Sequence, residues 1–399
     1  MKELFSLDMK DYDPDGKVFS RPSARAIVFK NDKVLLVYSK KYNYYKFPGG
    51  GIENGEKPED ALIREIREET GYQIIAESIE EYGKVPRKQK DTYDENCIFE
   101  QENFYFFCDV DDAKLNTQLD DYEAEEGFTP VWMDAMTASR HNKYEYHEEG
   151  VDLVMVNRDA KVLDMVDLEI RKRERTKREK ESIAALGDLD YQGMLDYVEN
   201  CLQEQSEYSH SGKSDISYSR FDHTKRVLGW AKRLYDMSEN KDELRYEDLI
   251  IATIFHDVGR TAAVKSGEPH AKAGIPFTRS YLLEHDFDEA RTEYICELVG
   301  SHSDKHRMNE DNLDPNLLML MEADLMDDMG ALGIVMDCMI TQSRNPDAVF
   351  SDCLDHIMRF TKRIQMDNPM TTENAKKLWD EKTRIVCEFT DALKKDIEI

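Results

Sequence analysis

The first half of the chain alternates apolar and polar residues in the manner of β-strands. Residues 24–39, ARAIVFKNDKVLLVYS, predict two strands joined by a turn at Asn31 and Asp32. Further strands are predicted over 98–110 and 130–133, and helices over 134–140 and 150–168. We therefore expect a strand-rich domain with few helices in this half.

The second half has the apolar spacing of helices almost throughout. A period near 3.6 begins at Val151 and leads into a basic run, RKRERTKREKE, that has almost no apolar face. We interpret this run as a solvated helical linker in preference to a binding patch. The changes in pattern predict a first domain over 1–170, a charged helical linker over 171–190 and a second domain over 191–399.

The charge of the chain limits its partners. The 399 residues are enough for two or three domains, and their net charge is −29. Residues 1–170 carry −16, residues 171–180 carry +5 and residues 181–399 carry −18. Because both acidic parts would repel a phosphate backbone, we expect no DNA or RNA binding. Metal ions would offset the charge locally for a small anionic substrate.

The composition also indicates where in the cell the protein is expected. The chain has no run of 18 apolar residues, and its N-terminus lacks an apolar h-region, so neither a membrane span nor a signal peptide is expected. The seven cysteines, at 97, 108, 201, 296, 338, 353 and 387, show no CxxC spacing. They are typical of reduced thiols in a cytoplasmic protein, and we expect that location without a membrane partner.

The most informative segment is Gly50–Tyr72, GGIENGEKPEDALIREIREETGY. Glu65, Glu68 and Glu69 fall at i, i+3 and i+4, so an α-helix places all three carboxylates on one face. Three adjacent like charges destabilise a helix unless cations offset them, and carboxylate oxygens suit Mg²⁺ or Mn²⁺. The segment predicts a metal-dependent site for phosphate esters.

This segment resembles the Nudix box, in which a glycine, a glutamate and the pattern REUXEEXGU follow at fixed spacing, with U a bulky apolar residue. The matching positions are Gly50, Glu56, Arg64, Glu65, Ile66, Glu68, Glu69, Gly71 and Tyr72. The resemblance implies an α/β/α sandwich with a mixed sheet, which hydrolyses a nucleoside diphosphate bonded to a moiety X with Mg²⁺ on the three glutamates. It makes Glu56 and Arg64 a pair that fixes the loop over the helix, while Gly50 and Gly51 let the backbone approach the metal or phosphate.

Substrate selection in Nudix proteins lies outside the box. Tyr45, like Tyr42 and Tyr44, either stacks on a base or ribose or serves as a packing residue. Arg25 on the first strand either contacts a phosphate or pairs with an acid. Nudix enzymes often use a further acid as base or ligand, and the candidates here are Glu100, Glu102, Glu123, Glu125 and Glu126.

A second set of polar residues lies in the helical half. His256 and Asp257 follow the apolar run LIIATIF, as if at the end of a buried helix. His223 lies upstream in FDHTKRVLGWAKRLY, and Asp324 lies downstream in MEADLMDDMGALG. Two histidines and two aspartates from three helices would make a nitrogen and oxygen site for a divalent transition metal. Such a site polarises a phosphoryl oxygen and activates water for attack.

The ordered set resembles the HD-domain metal-dependent phosphohydrolases, which are all-α helical bundles. The residues that this resemblance assigns to Mn²⁺ or another divalent transition metal are His223, His256, Asp257 and Asp324. His270 and His302 either complete a second metal site or contact phosphate, with a surface or capping histidine as the structural alternative. His256, Asp257 and His302 are expected to take part in catalysis.

The resemblance extends to the C-terminus. Residues 324–334 are similar to the DADRLDALGAIGIAR stretch of one bacterial HD subgroup, some members of which are nucleoside triphosphate pyrophosphohydrolases. The segment MTTENAKKLWDEKTRIVCEF resembles the T-x-x-A-x-x-L helix of that subgroup. Leu325-Met326 and Met336-Asp337 depart from its pattern, and the loss of an arginine at the second pair bears on phosphate recognition.

Three hypotheses for the function follow. The first is a bifunctional nucleotide hydrolase, in which the Nudix and HD sites act on small-molecule nucleotides, one after the other. The second is one catalytic domain with the other as a regulatory nucleotide-binding module. The intact ligands of both sets argue against this second hypothesis. The third, a non-enzymatic interaction protein, is disfavoured by the acidic charge of both halves and by the lack of an evident basic helix-turn-helix. Nudix domains frequently dimerise, so a homodimer is included among the expected partners.

Overall fold

The computed structural model describes residues 1–92, 94, 96–111, 115–203 and 220–397. The chain divides into two compact units, Met1–Glu179 and Lys180–Ile399. Of the helices in these described ranges, none combines the length and the hydropathy that a membrane crossing requires.

The first unit contains two β-sheets. The strands are β1 (Leu7–Asp8), β2 (Lys17–Ser20), β3 (Ser23–Ile27), β4 (Phe29–Lys30), β5 (Lys33–Ser39), β6 (Tyr44–Lys46), β7 (Glu80–Lys90), β8 (Cys97–Phe107) and β9 (Thr129–Met133). One sheet has the order β1-β7-β8-β2 with β3 also on β8, and the other has β4-β5-β6 with β9 on β5. The first sheet is mixed, because β2 and β3 run parallel to β8 while β7 runs antiparallel to it.

Helices cover both faces of the mixed sheet. The helices of this part are α1 (Pro58–Thr70), α2 (Asp121–Glu126), α3 (Ala135–Tyr144) and α4 (Leu153–Ala184). Successive residues of a strand point to opposite faces. Phe106 on β8 belongs to the core cluster that includes Leu62 and Ile66 of α1, whereas Tyr105 belongs to the cluster that includes Val162 of α4. This arrangement confirms the predicted α/β/α sandwich.

Local chemistry sets the limits of α1. Pro58 occupies its first turn together with acidic residues, which favour the positive end of the helix dipole. Gly71 ends it in the left-handed conformation, with φ 76°, and its N–H donates to the carbonyl oxygen of Arg67. The helix therefore spans the predicted acidic segment and holds its glutamates in the expected spacing.

The second unit is helical throughout its described residues. Its helices are α5 (Tyr191–Gln203), α6 (Arg220–Met237), α7 (Tyr246–Phe255), α8 (Arg260–Ser266), α9 (His270–Glu284), α10 (Glu289–Ser301), α11 (Pro315–Met326), α12 (Ala331–Arg344), α13 (Phe350–Ile357), α14 (Arg363–Gln365) and α15 (Glu373–Ile397), with a π-helical turn at Met358–Lys362. Every residue from Leu249 to Phe255 is fully buried, so α7 is the central helix of the core. The predicted all-α bundle is confirmed.

Most element predictions agree with the structure. The turn at Asn31 and Asp32 is present, with φ of 52° and 61°. The strand predicted over 98–110 corresponds to β8, and the strand predicted over 130–133 to β9. The helix predicted over 150–168 and most of the predicted linker form the single helix α4. The domain limits at 170 and 190 stay predictions.

Candidate active sites

Arg64 of α1 ties the box loop to its helix. Its guanidinium donates from Nε and Nη2 to the two carboxylate oxygens of Glu56, over 3.1 and 2.9 Å, and from Nη2 to the carbonyl oxygen of Gly51, over 3.1 Å. Two parallel charge-assisted bonds fix both position and orientation. The hydrogen bonds from Arg64 also lower the pKa of Glu56. The pair therefore has the geometry expected of a loop clamp.

Glu69 is the most enclosed of the three predicted metal ligands. It is 1% exposed, and its Oε1 accepts from Nζ of Lys46 while its Oε2 accepts from the N–H of Gly49, each over 2.7 Å. Lys46 Nζ also lies 4.1 Å from the ring centroid of Phe128. Glu69 thus joins α1 to β6 and to the loop that precedes the box.

Glu65 and Glu68 share the other guanidinium nitrogen of Arg64. Nη1 lies 2.8 Å from Glu65 Oε1 and 3.5 Å from Glu68 Oε2. Burial raises the pKa of Glu65, and the nearby Glu69 adds to this, although the bond from Arg64 opposes it. Among the described residues, the ligand atoms of the three glutamates do not all lie within 4.8 Å of one another. Their oxygens suit Mg²⁺ in type, and Arg64 and Lys46 supply the positive charge that an ion would otherwise bring.

The glycines of the box leave room for a carboxylate. A Cβ on Gly50 would lie 2.3 Å from Oε2 of Glu65. A Cβ on Gly49 would lie 2.1 Å from the carbonyl oxygen of Ala24, and the φ of Gly49 is 131°, which side chains rarely adopt. At Gly50 the group close to the backbone is the carboxylate of Glu65, and approach of this backbone to a metal or phosphate stays a prediction.

Glu123 is the one of the five candidate acids that contacts the box helix. It lies on α2, is 4% exposed, accepts from the hydroxyl of Tyr122 over 3.1 Å, and is near enough to Glu69 for the two charges to repel. Burial and then the charge of Glu69 raise the pKa of Glu123 to about 7. The other four bind elsewhere: Glu100 to Lys88, Glu102 to Lys84, Glu125 to Lys41, and Glu126 to Ser39 and Tyr44. The sequence alone could not show which of the five acids lies beside the box helix, because that depends on how the segment before β9 packs against α1.

The predicted substrate contacts Arg25 and Tyr45 both have protein partners. Arg25 is 7% exposed, and its Nη1 donates to the carbonyl oxygens of Phe47 and Gly49. The half-buried ring of Tyr45 has its centroid 4.9 Å from those of Tyr38 and His141. The ring contacts of Tyr45 match the packing alternative, and a role in substrate binding stays a prediction for both residues.

Four predicted ligands of the HD-like site converge in the second unit. His256 and Asp257 follow the buried helix α7, while His223 lies on α6 and Asp324 on α11. Nε2 of His256 lies 3.3 Å from Nε2 of His223. Nε2 of His223 lies 3.2 Å from Asp324 Oδ1 and 3.8 Å from Asp257 Oδ2. Nε2 of His256 lies 3.8 Å from Asp324 Oδ1 and 3.9 Å from Asp257 Oδ2.

The imidazoles are held with Nε2 directed at this centre. Nδ1 of His256 donates to the carbonyl oxygen of Thr253, and Nδ1 of His302 donates to that of Val299, each over 2.7 Å. Because a carbonyl oxygen only accepts, Nε2 of each neutral ring keeps its lone pair for a ligand. Burial lowers the pKa of both histidines, to about 3 for His302.

His223 is oriented by two residues that the sequence did not single out. Its Nδ1 lies 2.7 Å from Asp327 Oδ2, and Arg226 donates to both oxygens of Asp327, over 2.8 and 2.9 Å. Burial opposes the charge on His223, but hydrogen bonds to Asp324 and Asp327 prevail and raise its pKa to about 9. Their spacing could have indicated this contact, because Arg226 follows His223 by three residues and Asp327 follows Asp324 by three residues.

His270 and His302 face the other oxygen of Asp257. Nε2 of His270 lies 3.2 Å from Asp257 Oδ1 and 3.3 Å from Nε2 of His302, which lies 3.9 Å from the same oxygen. His302 is 1% exposed, unlike a surface histidine. Asp257 therefore presents Oδ2 to one histidine pair and Oδ1 to the other, and each group has ligand atoms within 4.8 Å of one another.

This donor set fits a divalent metal. Oδ2 of Asp257 is buried and accepts no hydrogen bond from the described residues, which is costly for a carboxylate unless a cation binds it. Imidazole nitrogens with carboxylate oxygens suit Mn²⁺, Fe²⁺ or Zn²⁺. Neutral His256 and His302 need lose no proton before they bind an ion.

Three further cations border the site. Nη1 of Arg220 lies 3.9 Å from Asp257 Oδ2, beyond hydrogen-bond distance. Arg260 donates from Nε to Asp257 Oδ1 over 2.8 Å. Nζ of Lys305 lies 2.8 Å from Asp324 Oδ2 and 3.0 Å from the carbonyl oxygen of Met321. Burial disfavours the ionised form of both carboxyl groups, but the neighbouring charges prevail. His256 and Arg260 hold the pKa of Asp257 well below the usual range, and Lys305 and His223 do the same for the pKa of Asp324. Sequence gave no sign of Lys305, which reaches Asp324 from a separate turn.

Comparison with known proteins agrees with both resemblances. The NUDIX domain model matches residues 19–154, and the HD domain model matches residues 220–329. An RNA pyrophosphohydrolase of Acinetobacter baylyi is 43% identical over 65 residues, which are 14% of this chain and 39% of the relative. The Nudix hydrolase YvcI of Bacillus subtilis is 49% identical over 45 residues, which are 11% of this chain and 28% of the relative. The chain thus spans less than half the length of these relatives.

Solved structures are also similar to part of the chain. A crystal structure of an HD superfamily hydrolase from an uncultured Thermotogales bacterium is 19% identical, with a TM-score of 0.36, and the match covers 52% of this chain and 93% of that one. Both matched families are hydrolases of phosphoester or pyrophosphate bonds that generally depend on divalent metals. The chain therefore carries an N-terminal NUDIX domain followed by an HD domain.

Proposed function

We propose that the chain is a bifunctional metal-dependent hydrolase of small nucleotides. The NUDIX domain would cleave the pyrophosphate bond of a nucleoside diphosphate bonded to a moiety X. The HD domain would release phosphate or pyrophosphate from a nucleotide. The observation that carries this proposal is the position of Asp257, whose buried carboxylate lies between two pairs of histidine Nε2 atoms. A purely structural role does not account for this arrangement of metal-binding groups.

Metal ions at both sites would polarise phosphoryl oxygens and neutralise the charge that develops on them. In the NUDIX domain, Glu65, Glu68 and Glu69 would hold Mg²⁺, while Arg64 and Glu56 keep the loop in position. Glu123 is our choice of base, because it is the candidate acid that contacts Glu69. Its carboxylate would take a proton from the attacking water.

In the HD domain, Mn²⁺ or another divalent transition metal would be held by His223, His256, Asp257 and Asp324. Asp327 would keep His223 in the orientation that directs Nε2 inward. His270 and His302 would either bind a second ion with Asp257 or contact the substrate phosphate, and their mutual distance of 3.3 Å is compatible with both.

The fusion suggests that one site acts on the product of the other. Cleavage of a nucleoside diphosphate linked to X leaves a phosphorylated product, which is a substrate for phosphate removal. The acidic charge of both halves supports a small-molecule substrate without DNA or RNA binding. A 5′-triphosphorylated RNA oligonucleotide is still a necessary test substrate, because the Acinetobacter baylyi relative is named an RNA pyrophosphohydrolase.

The test compares the wild type with Glu68→Gln and Asp257→Ala. Each protein is assayed with Mg²⁺ and with Mn²⁺ against nucleoside di- and triphosphates, dinucleoside polyphosphates, ADP-ribose, sugar nucleotides, (p)ppGpp and the RNA oligonucleotide, with products separated by chromatography. We expect Glu68→Gln to lower the Mg²⁺-dependent diphosphatase rate by at least about a hundredfold and to spare phosphate release. Asp257→Ala should do the reverse, most visibly with Mn²⁺.

Glu125→Gln and Asp236→Ala are matched controls, because each removes an exposed carboxylate that pairs with a surface lysine. Both should keep both activities. If one active-site variant abolished all hydrolysis while the other changed only nucleotide affinity, the regulatory-module alternative would replace this proposal. Absence of any substrate shared between the products of one site and the substrates of the other would end the sequential hypothesis.

A further inference from the structure

The last helices of the second unit expose an unusual amount of apolar surface. The exposed large apolar side chains between 331 and 397 are Val335, Val349, Phe350, Met339, Met358, Phe360, Ile364, Met366, Ile385 and Phe389, each between 40% and 75% exposed. Single exposed apolar residues are normal on a protein surface. Here they concentrate in one segment, which we call the C-terminal helices (α12 to α15).

The exposed residues follow helical spacing. Val335 and Met339 on α12 are four residues apart, as are Phe360 and Ile364, and as are Ile385 and Phe389 on α15. Residues four apart lie one above the other on a helix surface. Each of these helices therefore carries an outward apolar stripe, and α12, α13 and α15 contact one another.

The buried core between these helices is small. Its fully or nearly buried residues are Ile334, Ile357 and Val386, with Cys338 packed against them. Each buried residue has an exposed apolar neighbour in sequence, at Val335, Met358 and Ile385. The helices thus bury little apolar surface among themselves and leave more of it outside.

The exposed area is of the size that a stable interface needs. At the exposed fractions given above, ten large side chains present on the order of 1,000 Å² of surface. A specific interface buries about 800 Å² on each partner, whereas the largest apolar patch of a typical monomer covers about 300–600 Å². The exposed apolar area summed over the segment therefore reaches the range that one partner of an interface buries, and it favours a covering partner.

Charge favours a second copy of the chain as that partner. Residues 331–397 contain 10 lysines and arginines and 11 aspartates and glutamates, a net charge of −1 in a chain of −29. Elsewhere the chain is strongly acidic, so two copies would repel each other across most of their surfaces. The rim of the apolar stripes carries both signs, as in the exposed pair Arg384 and Glu388. A twofold axis can match such a surface to itself.

We propose that the C-terminal helices form a homodimer interface, in which the apolar stripes of two copies cover one another. This proposal is independent of the hydrolase activities. It accounts for the low charge of the segment and for its small internal core in the same way, because the dimer would complete the apolar packing that one copy leaves open.

The test is the mass of the full chain in solution. Light scattering coupled to gel filtration, at tens of micromolar protein, should give twice the chain mass of 46.5 kDa for the wild type. Phe350→Glu with Phe389→Glu should yield the monomer, or raise the dimer Kd at least tenfold, because it buries like charges at the interface. Val264→Glu is the matched control, since Val264 is 82% exposed and lies outside the segment, and it should stay dimeric.

A second variant and a second measurement guard against unfolding. If the double variant loses its helical circular dichroism, Val335→Lys with Met339→Lys replaces it and should give the same monomer. Hydrogen exchange at high and low protein concentration should show concentration-dependent protection in α12 to α15. A monomeric wild type, a dimer that resists both variants, or protection confined to other elements would overturn the proposal.

Discussion

Glu123→Gln should stabilise the first unit at alkaline pH and leave its stability unchanged at acidic pH. Glu123 faces Glu69 and Lys46 in a buried cluster, with Tyr122 beside it, and its pKa is raised to about 7, first by burial and then by Glu69. A carboxyl group whose folded pKa exceeds its unfolded value favours the folded state only while it is protonated. Glutamine imitates that neutral form at every pH.

The size of the effect follows from the shift. From 4.5 to about 7, at 1.36 kcal/mol per unit, the upper bound is about 3 kcal/mol. Solvent screening reduces the contribution of such charge interactions, so we expect about 1–2 kcal/mol above pH 7. Wild-type stability should fall between pH 4.5 and 7 relative to the variant. For a unit of this size that corresponds to a gain in Tm of about 2–6 °C at pH 8.

The assay is thermal unfolding in the presence of a chelator, at pH 5 and at pH 8. The control is Glu125→Gln on the same helix, which removes an exposed carboxylate whose pKa is lowered by Lys41, and which should not gain stability at pH 8. An equal gain for Glu123→Gln at both pH values would refute the reasoning, because it would show that the effect does not come from ionisation of this carboxyl group.

Two further predictions address the metal sites. Asp327→Asn should weaken Mn²⁺ binding to the HD site by about tenfold to a hundredfold, because it weakens the hydrogen bond that orients His223 at Nδ1. Titration calorimetry measures this affinity, and an unchanged value would mean that packing alone orients the ring. Gly50→Ala should weaken Mg²⁺ binding in the NUDIX domain and leave HD activity unchanged. The added Cβ would lie 2.3 Å from Oε2 of Glu65 and would therefore displace this carboxylate. Normal Mg²⁺ affinity would show that Glu65 is not a ligand.

Periodicity predicted the elements well where one physical requirement dominated. Strands lie on both sides of the predicted turn in 24–39, although the first predicted strand divides into β3 and β4, and the burial of α7 follows from its continuous apolar run. The length of α4 was harder, because its polar second half offers no apolar stripe from which a limit can be drawn. Charged side chains spaced four apart, such as Asp167 and Arg171, support that half.

The candidate sites were predictable to the extent that spacing implied contact. Residues one turn apart on one helix, such as Arg64 and Glu68, could be placed together from their numbers alone. Lys46 and Glu123 could not, because they reach Glu69 from a strand and a short helix that are distant in sequence. Lys305 reaches Asp324 from another turn in the same way. Long-range partners of this kind depend on packing, which local patterns do not encode.

The two sites differ in how they balance charge, and this difference bears on metal affinity. In the NUDIX domain, Lys46 occupies Glu69 and Arg64 contacts Glu65 and Glu68, so an incoming ion must compete with cations of the chain. In the HD domain, Arg260 and Lys305 also contact carboxylates, at Asp257 Oδ1 and Asp324 Oδ2. Asp257 Oδ2, however, accepts no hydrogen bond from the described residues, and the neighbouring His256 offers a lone pair. A preorganised site loses less free energy to rearrangement on binding. We therefore expect the HD site to retain its metal during purification, and the NUDIX site to require free Mg²⁺ in the assay.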